Sequence, residues 1–453
     1  SKSIPDLKTQ AGPLAPLSQP STDGVPKESA PGMANPASIG ADEAMESASL
    51  PEKIDAIPPL YVPPTKPGRF LMQVLEGEEE AEEILSLLAH WAGAEPSEKR
   101  TTYLALTRVG WRLFKSMARR LSQESLPWEK RLFMRFGMLD EHLMADRREL
   151  WACLEQDKSK PGDTGIYFID EWLDEIARGN LKYSTIDEMA LQGAKPDPYA
   201  SGVKALEYEI INVEQMQRLC VGPRANTVTI LTQDYCSPGR DNPLVNRAWL
   251  ESTMTAILQR DYTLFYRRVK GEEISVQPLF IICPGYGQRS ACWEPWSPGK
   301  KGMTGPRLCL CAFPPRNSLK TLLMGLAEYR WEYAKADAMH YWLTEGLTGK
   351  WLALFNKKEQ RLNLKEVFLE CYFHWIVNEA NRVPKLDKRC RDFFWNNIPF
   401  GDEVKEKLKG GGLFAHLIEL EEAKRLRDEE EQKEIERIKA EREARKAARQ
   451  ARF

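Results

Sequence analysis

The sequence has no apolar run that approaches the roughly 18 residues of a membrane-spanning helix. Its first residues also lack the basic start and apolar core of a secretory signal. A surplus of one charge is missing as well, because the formal net charge of the 453 residues is −2. We therefore expect a cytoplasmic protein without a membrane partner, and no global field directs it to nucleic acid.

Recognisable catalytic motifs are absent too. The chain contains neither the glycine-rich phosphate loop that ends in Gly-Lys-Ser/Thr nor the Gly-x-Ser-x-Gly nucleophile turn. Its five histidines do not form the repeated Glu-x-x-His pattern of dinuclear metal bundles. We expect no cofactor and no metal, and whether the protein is an enzyme stays open.

Cysteine is present but does not suggest a disulfide framework. Nine cysteines, an odd number over a long chain, are typical of reduced thiols. Cys283, Cys292, Cys309 and Cys311 lie close in sequence, but none forms the short Cys-x2–4-Cys knuckle that structural zinc prefers. Buried thiols are the favoured interpretation and zinc is the alternative, since the sequence does not show whether the four meet in space.

Composition and periodicity divide the chain into four segments of a helix-rich α+β or α/β protein. Residues 1–67 carry 13 of the 30 prolines and few aromatics, which predicts a disordered tail. Residues 68–160 form a predicted helical region of three helices, in which apolar residues such as Leu106, Val109 and Leu113 recur at helical spacing. The other predicted segments are a mixed α/β domain with closing helices (161–400) and a projecting charged helix (401–453).

The mixed domain is predicted to contain a small sheet around residues 226–313. Runs rich in β-branched or apolar residues predict strands at 226–232, 278–283 and 307–313. The segment 243–269 is predicted to be a helix, so that the first two strands form a βαβ crossover. Residues 166–180 are predicted to contain a short helix that Gly179 ends.

The C-terminal segment is predicted to be a solvated single helix over about 413–450. It has few large apolar residues after Leu420, so the sustained heptads of a long coiled coil are missing. Its charge is segregated: residues 417–436 have net charge −5 and residues 437–453 have net charge +5. Acid–base pairs at spacings of three and four support such a helix in water.

Two loops of the mixed domain form a candidate anion-binding site. Loops 233–242 and 284–306 would leave the same edge of the sheet, where open α/β sheets bind ligands. Glycines would let backbone N–H groups approach a phosphate or carboxylate, and aromatic rings would cover an attached ring. The predicted site residues are Arg240, Arg289, Lys300, Lys301, Gly285, Gly287, Tyr286 and Trp293.

A second candidate surface is a basic stripe on the longest N-terminal helix. Arg108, Arg112, Lys115 and Arg119 follow one another at steps of four, three and four, opposite the apolar face. Such a stripe can follow phosphates of a nucleic acid. It is equally typical of a solvated helix whose bases pair with acids elsewhere.

The favoured functional interpretation is a cytoplasmic interaction or scaffold protein. The proline-rich tail, the charged C-terminal helix and the missing catalytic motifs support it, and the protein partner would bind the tail or that helix. One alternative is an enzyme or sensor that binds an anionic small molecule at the two loops. Another is a nucleic-acid or ribonucleoprotein partner that uses the basic stripe and the basic C-terminal tail.

Overall fold

A computed structural model describes much of the chain from Arg69 onwards. The described residues are 69–121, 123–137, 164–178, 203–221, 245–269, 272–287, 289–293, 307–313, 317–356 and 359–450. The predicted tail 1–67 and the predicted strand 226–232, with its βαβ crossover, lie outside these residues. None of the described helices combines the length and apolar composition that a membrane crossing requires.

The structure confirms a helix-rich fold with a small mixed sheet. Its α-helices are α1 (Arg69–Leu75), α2 (Ala81–Gly93), α3 (Pro96–Arg120), α4 (Trp128–Phe136), α5 (Ile169–Arg178), α6 (Val203–Val221), α7 (Arg247–Arg260), α8 (Ser318–Ala338), α9 (Gly346–Ala353), α10 (Leu364–Val377), α11 (Lys388–Asn397), α12 (Asp402–Lys409) and α13 (Ala415–Gln450). Its strands are β1 (Ile166–Phe168), β2 (Tyr266–Val269), β3 (Glu272–Ser275), β4 (Leu279–Tyr286), β5 (Ala291–Trp293) and β6 (Arg307–Phe313). Short 3₁₀ turns cover Met339–Tyr341, Glu359–Arg361 and Glu379–Asn381.

The main described sheet has the strand order β1-β4-β6-β5. Strand β4 lies parallel to both β1 and β6, and Phe280 is level with Ile166 on one side and with Leu308 on the other. Strand β5 is antiparallel to β6. Parallel strands are usually buried on both faces, which explains the apolar runs that predicted β4 and β6 correctly.

The prediction of one helix in residues 166–180 is wrong at its start. Residues Ile166, Tyr167 and Phe168 are the short buried strand β1, and α5 begins directly after it. Gly165 has a φ of +68°, a left-handed conformation that favours glycine at the turn before the strand. Pairing with β4 decided the conformation of these residues, and local periodicity does not reveal that contact.

The predicted helix over 243–269 also ends early. The Asn246 side chain caps α7 by accepting a hydrogen bond from the Trp249 N–H (2.7 Å), but the helix ends at Arg260. Residues Tyr266–Val269 instead form a two-stranded antiparallel ribbon with Glu272–Ser275. The buried Asp261 carboxylate at the break accepts hydrogen bonds from elsewhere in the chain, which local sequence cannot predict.

The described part of the N-terminal region, residues 69–137 without residue 122, contains helices α1 to α4, and the first of the three predicted helices is divided into α1 and α2. Gly77, with a φ of +74°, lies in a turn that separates α1 from α2. The buried Glu78 follows it and accepts hydrogen bonds from Lys130 and from Arg120 (2.6 Å). The predicted apolar face of α3, which includes Leu106 and Leu113, is buried in the core.

The C-terminal helices surround a cluster of aromatic rings. The Trp351 ring lies edge-on to Phe393 at 5.0 Å and to Phe368 at 5.4 Å. Its indole N–H donates to the Leu364 carbonyl at 2.9 Å, so the buried polar atom is satisfied. Trp375 stacks on Phe400 with 4.0 Å between ring centroids. This cluster provides a rigid base at the start of α13.

Candidate interaction surface

The most exposed described element is the long helix α13, whose first turn is anchored in the aromatic cluster. Phe414 and Leu417 are buried, and the Phe414 ring stacks on Trp395 at 5.3 Å. Lys405 forms an ion pair with Glu421 at 2.5 Å, one turn further along the helix. The root of the helix is therefore fixed by apolar packing and by charge.

Beyond this root the helix has no buried face among the described residues. Every residue from 419 to 444 is exposed. We call this segment the arm. At 1.5 Å per residue the arm is about 39 Å long. Pairs within the helix, such as Arg437–Glu434 at 2.7 Å, support it in water. The arm extends away from the core as a charged rod, in agreement with the expected solvated helix.

The described part of the predicted anion site is tightly packed. Gly287 is buried, and a Cβ atom added there would overlap the Cys311 Sγ and lie 2.9 Å from the Cys220 carbonyl oxygen. Gly285, with a φ of +94°, lies at an irregularity in the β4–β6 pairing. Gln217 donates to the Pro284 carbonyl at 2.9 Å and attaches this bend to α6. Gly285 thus permits the bend in β4, and Gly287 permits the close packing of this segment against β6 and α6.

Arg289 is exposed beside the C-terminal end of α6. Its backbone N–H donates to the Cys220 carbonyl at 3.0 Å, close to the end of that helix. A helix C-terminus carries partial negative charge, which favours a cation and disfavours an anion at the same point. Arg240, Lys300 and Lys301 lie outside the described residues. Tyr286 and Trp293 are placed at the ends of β4 and β5, so the structure does not show the predicted site as a whole.

Three of the four sequence-clustered cysteines meet a fourth thiol that the sequence analysis did not single out. Cys283 and Cys311 are neighbours across β4 and β6, and Cys309 lies two residues before Cys311. Cys220 of α6 donates to the Cys309 carbonyl at 3.5 Å. A hydrogen bond to Cys311, together with burial, raises the pKa of the Cys220 thiol well above its usual range.

These cysteines are free thiols that belong to the core. A hydrogen bond to Cys309 and burial likewise raise the pKa of Cys283, and burial raises that of Cys292 on β5. Among the described residues no set of three or more His, Cys, Asp and Glu side chains is arranged to bind a metal ion.

The basic stripe of α3 is partly neutralised within the molecule. Arg112 forms an ion pair with Glu83 of α2. Lys115 pairs with Glu214 of α6 at 3.3 Å and lies over a tryptophan ring. Arg108 and Arg119 are exposed on the same helix face. Two of the four bases are therefore paired with acids of the same molecule, as the interpretation of the stripe as an ordinary solvent-exposed helix face expects.

Buried ion pairs around the end of β1 are the largest polar feature that the sequence analysis missed. Asp170 and Glu171 begin α5, and Arg135 of α4 approaches both carboxylates at 3.0 and 2.7 Å. Arg247 of α7 also binds Glu171, at 2.7 Å. Burial raises the pKa of Glu171, despite these two arginines. The network joins α4, α5 and α7, and the adjacent acidic pair in α5 was its only sequence signal.

Comparison with known proteins adds one partial match. Residues 344–450 match the family model described as Domain of unknown function (DUF8509). The matched region contains helices α9 to α13 together with the aromatic cluster. No curated protein and no solved structure matches the chain significantly.

Proposed function

We propose that this protein is an interaction or scaffold protein that presents the α13 arm to a protein partner. The observation that supports this proposal is the continuous exposure of residues 419–444 beyond an aromatic root. A helix without a buried face gains no stability from the core, which supports a role for its segregated charges in contact with a partner. The family match covers both the arm and its root, so the two are matched together by one family model.

A cytoplasmic location fits this proposal. Seven cysteines lie in the described residues, and all seven are free. Free thiols persist in reducing compartments, where stable disulfides are rare. The partner is therefore sought among cytoplasmic proteins.

Deletion of residues 421–453 tests the proposal directly. This variant keeps Phe414 and Leu417 and so retains the buried root of α13. We expect the full chain to co-purify with a reproducible set of proteins that the deletion variant loses, measured by quantitative affinity capture from cells. Unchanged thermal unfolding of the variant would show that the loss is not caused by misfolding.

A charge-shuffled arm is the matched control. It retains length, composition and helix propensity but mixes the acidic and basic residues that are segregated in 417–436 and 437–453. Equal partner sets for the full chain and the deletion variant would refute the proposal. Partners that disappear from the full chain after nuclease treatment would support the nucleic-acid alternative.

A second candidate function is anion binding at the loops around Arg289. Its support is an exposed guanidinium next to glycine-rich backbone. A panel of nucleotides, sugar phosphates and dicarboxylates tests it by thermal unfolding. A ligand that binds only the folded state, at a hundred times its dissociation constant, raises the free energy of unfolding by about 2.7 kcal/mol. An increase that Arg289→Ala abolishes would support this function over the scaffold.

A further inference from the structure

Acidic and basic residues follow one another in separate segments along α13, and this order favours one direction of approach for a second copy of the helix. The acidic segment 417–436, which begins two residues before the arm, precedes the basic segment 437–453, which continues beyond the arm, and their net charges of −5 and +5 are equal and opposite. A second copy that runs in the opposite direction places each acidic segment beside a basic segment. A parallel copy places like charges together, which is unfavourable.

Two exposed isoleucines lie at the junction of these segments. Ile435 and Ile438 are 45% and 42% exposed, although isoleucine is usually buried in proteins. Glu431 precedes them by one helical turn and Arg442 follows by one turn. The steps of four, three and four place all four side chains on one helix face, at the spacing of a coiled-coil seam.

The charged members of this face have no partner within the described chain. Glu431 and Arg442 are exposed and form no ion pair among the described residues, whereas Arg437 and Arg425 on the same helix pair with Glu434 and Glu429. Arg427, four residues before Glu431, donates instead to the Ala423 carbonyl at 3.2 Å, and no acid stands three or four residues from Arg442. Both side chains are therefore available to a second molecule.

We propose that the partner of the arm is a second copy of this chain, bound antiparallel through α13. In this arrangement Ile435 packs on Ile438 of the second copy, and Glu431 faces Arg442 of the second copy. The two-fold axis passes between the isoleucines, so each contact occurs twice. Such an interface closes on itself and yields a dimer without further growth. This inference rests on the proposed function and specifies its partner.

The physical balance predicts a weak, salt-sensitive dimer. The apolar centre is small, and each exposed ion pair contributes little net stability. Salt weakens these pairs, because the Debye length falls from about 14 Å at 0.05 M to about 4 Å at 0.5 M. Sedimentation velocity of the full chain over a concentration series should show a monomer–dimer equilibrium that shifts to monomer as salt rises.

Charge reversal at the two facing positions tests the geometry. Glu431→Arg and Arg442→Glu each create like-charge contacts twice in a dimer, so each should raise the dissociation constant about ten-fold or more. An equimolar mixture of the two variants restores both contacts and should dimerise like the unmodified chain. Glu429→Arg and Lys433→Glu make the same charge changes on the opposite helix face and should leave dimerisation unchanged.

The outcomes separate this inference from the proposed function. A chain that stays monomeric, single variants that dimerise normally, or a mixture that fails to recover would each overturn the antiparallel dimer. So would a dimer that disappears after nuclease treatment, since nucleic acid would then bridge two copies. The scaffold proposal would survive each result if deletion of residues 421–453 still removed co-purifying proteins. Circular dichroism of each variant checks that the helix remains intact.

Discussion

Substitution of Gly287 by alanine should destabilise the fold through overpacking beneath α6. The added methyl group would overlap the Cys311 Sγ and lie 2.9 Å from the Cys220 carbonyl oxygen and 3.0 Å from the Cys311 Cβ. Two of these atoms cannot rotate away, because one belongs to the backbone and one is a Cβ atom. Overpacking of a dense core costs about 1–3 kcal/mol, so we expect a loss of about 2 kcal/mol.

Urea unfolding of the full chain measures this loss, and two variants make it specific. Gly93→Ala is the matched control, because nothing lies within 4 Å of a Cβ at that position. The double variant Gly287→Ala/Cys311→Ala removes the overlapping sulfur but not the carbonyl contact. The pair should therefore show a coupling of about 1 kcal/mol.

The result also distinguishes packing from ligand binding at this loop. If Gly287→Ala and Gly93→Ala have the same unfolding free energy as the unmodified chain, the packing argument is refuted. If the unmodified chain is stabilised by phosphate or carboxylate ligands and the equally stable Gly287→Ala variant is not, the glycine belongs to a binding loop. Stability loss without any ligand shift would leave Gly287 as a core contact.

Two further predictions concern buried charge. Arg391→Met should lower the free energy of unfolding in urea by about 3 kcal/mol, because it leaves the fully buried Glu379 carboxylate without its guanidinium at 2.8 Å. Adding Glu379→Gln should recover most of this loss. An unchanged unfolding midpoint for the single variant would contradict the argument. Burial raises the pKa of the Asp174 carboxyl above its usual value, so ionisation of Asp174 costs the folded state free energy. That cost is absent below the unfolded pKa of about 3.9 and complete above the raised folded value. Asp174→Asn should therefore gain stability relative to the unmodified chain as pH rises from about 4 to 7; a difference independent of pH would show that the carboxyl is not perturbed.

Local patterns predicted those elements in which burial follows a regular period. The apolar face of α3, the apolar strands β4 and β6 and the charged helix α13 were all predicted correctly. The two wrong assignments lie at Ile166–Phe168 and Tyr266–Val269, which are strands in the structure. Both are short, and pairing with a neighbour in space fixes their conformation. A period of two cannot be read reliably from three or four residues.

The candidate sites depended on contacts that a single sequence does not contain. The stripe on α3 was placed on one face as predicted, but Glu83 and Glu214, which pair with two of its bases, come from other helices. Gly287 was predicted to expose backbone to a ligand, whereas the structure packs it against Cys311. The buried carboxylates Asp170 and Asp261 were missed, because their arginine partners are distant in sequence.

The sequence alone predicted the helical character of this protein, its apolar strands and a charged C-terminal helix whose segments 417–436 and 437–453 have opposite net charges. These properties follow from spacing along one chain, since a helix or strand repeats its own geometry. Tertiary contacts, in contrast, were needed to show which charges are neutralised and which remain available. That difference depends on distances between segments far apart in sequence, as in the pairing of Glu209 with Arg307 and the isolation of Glu431 on the arm.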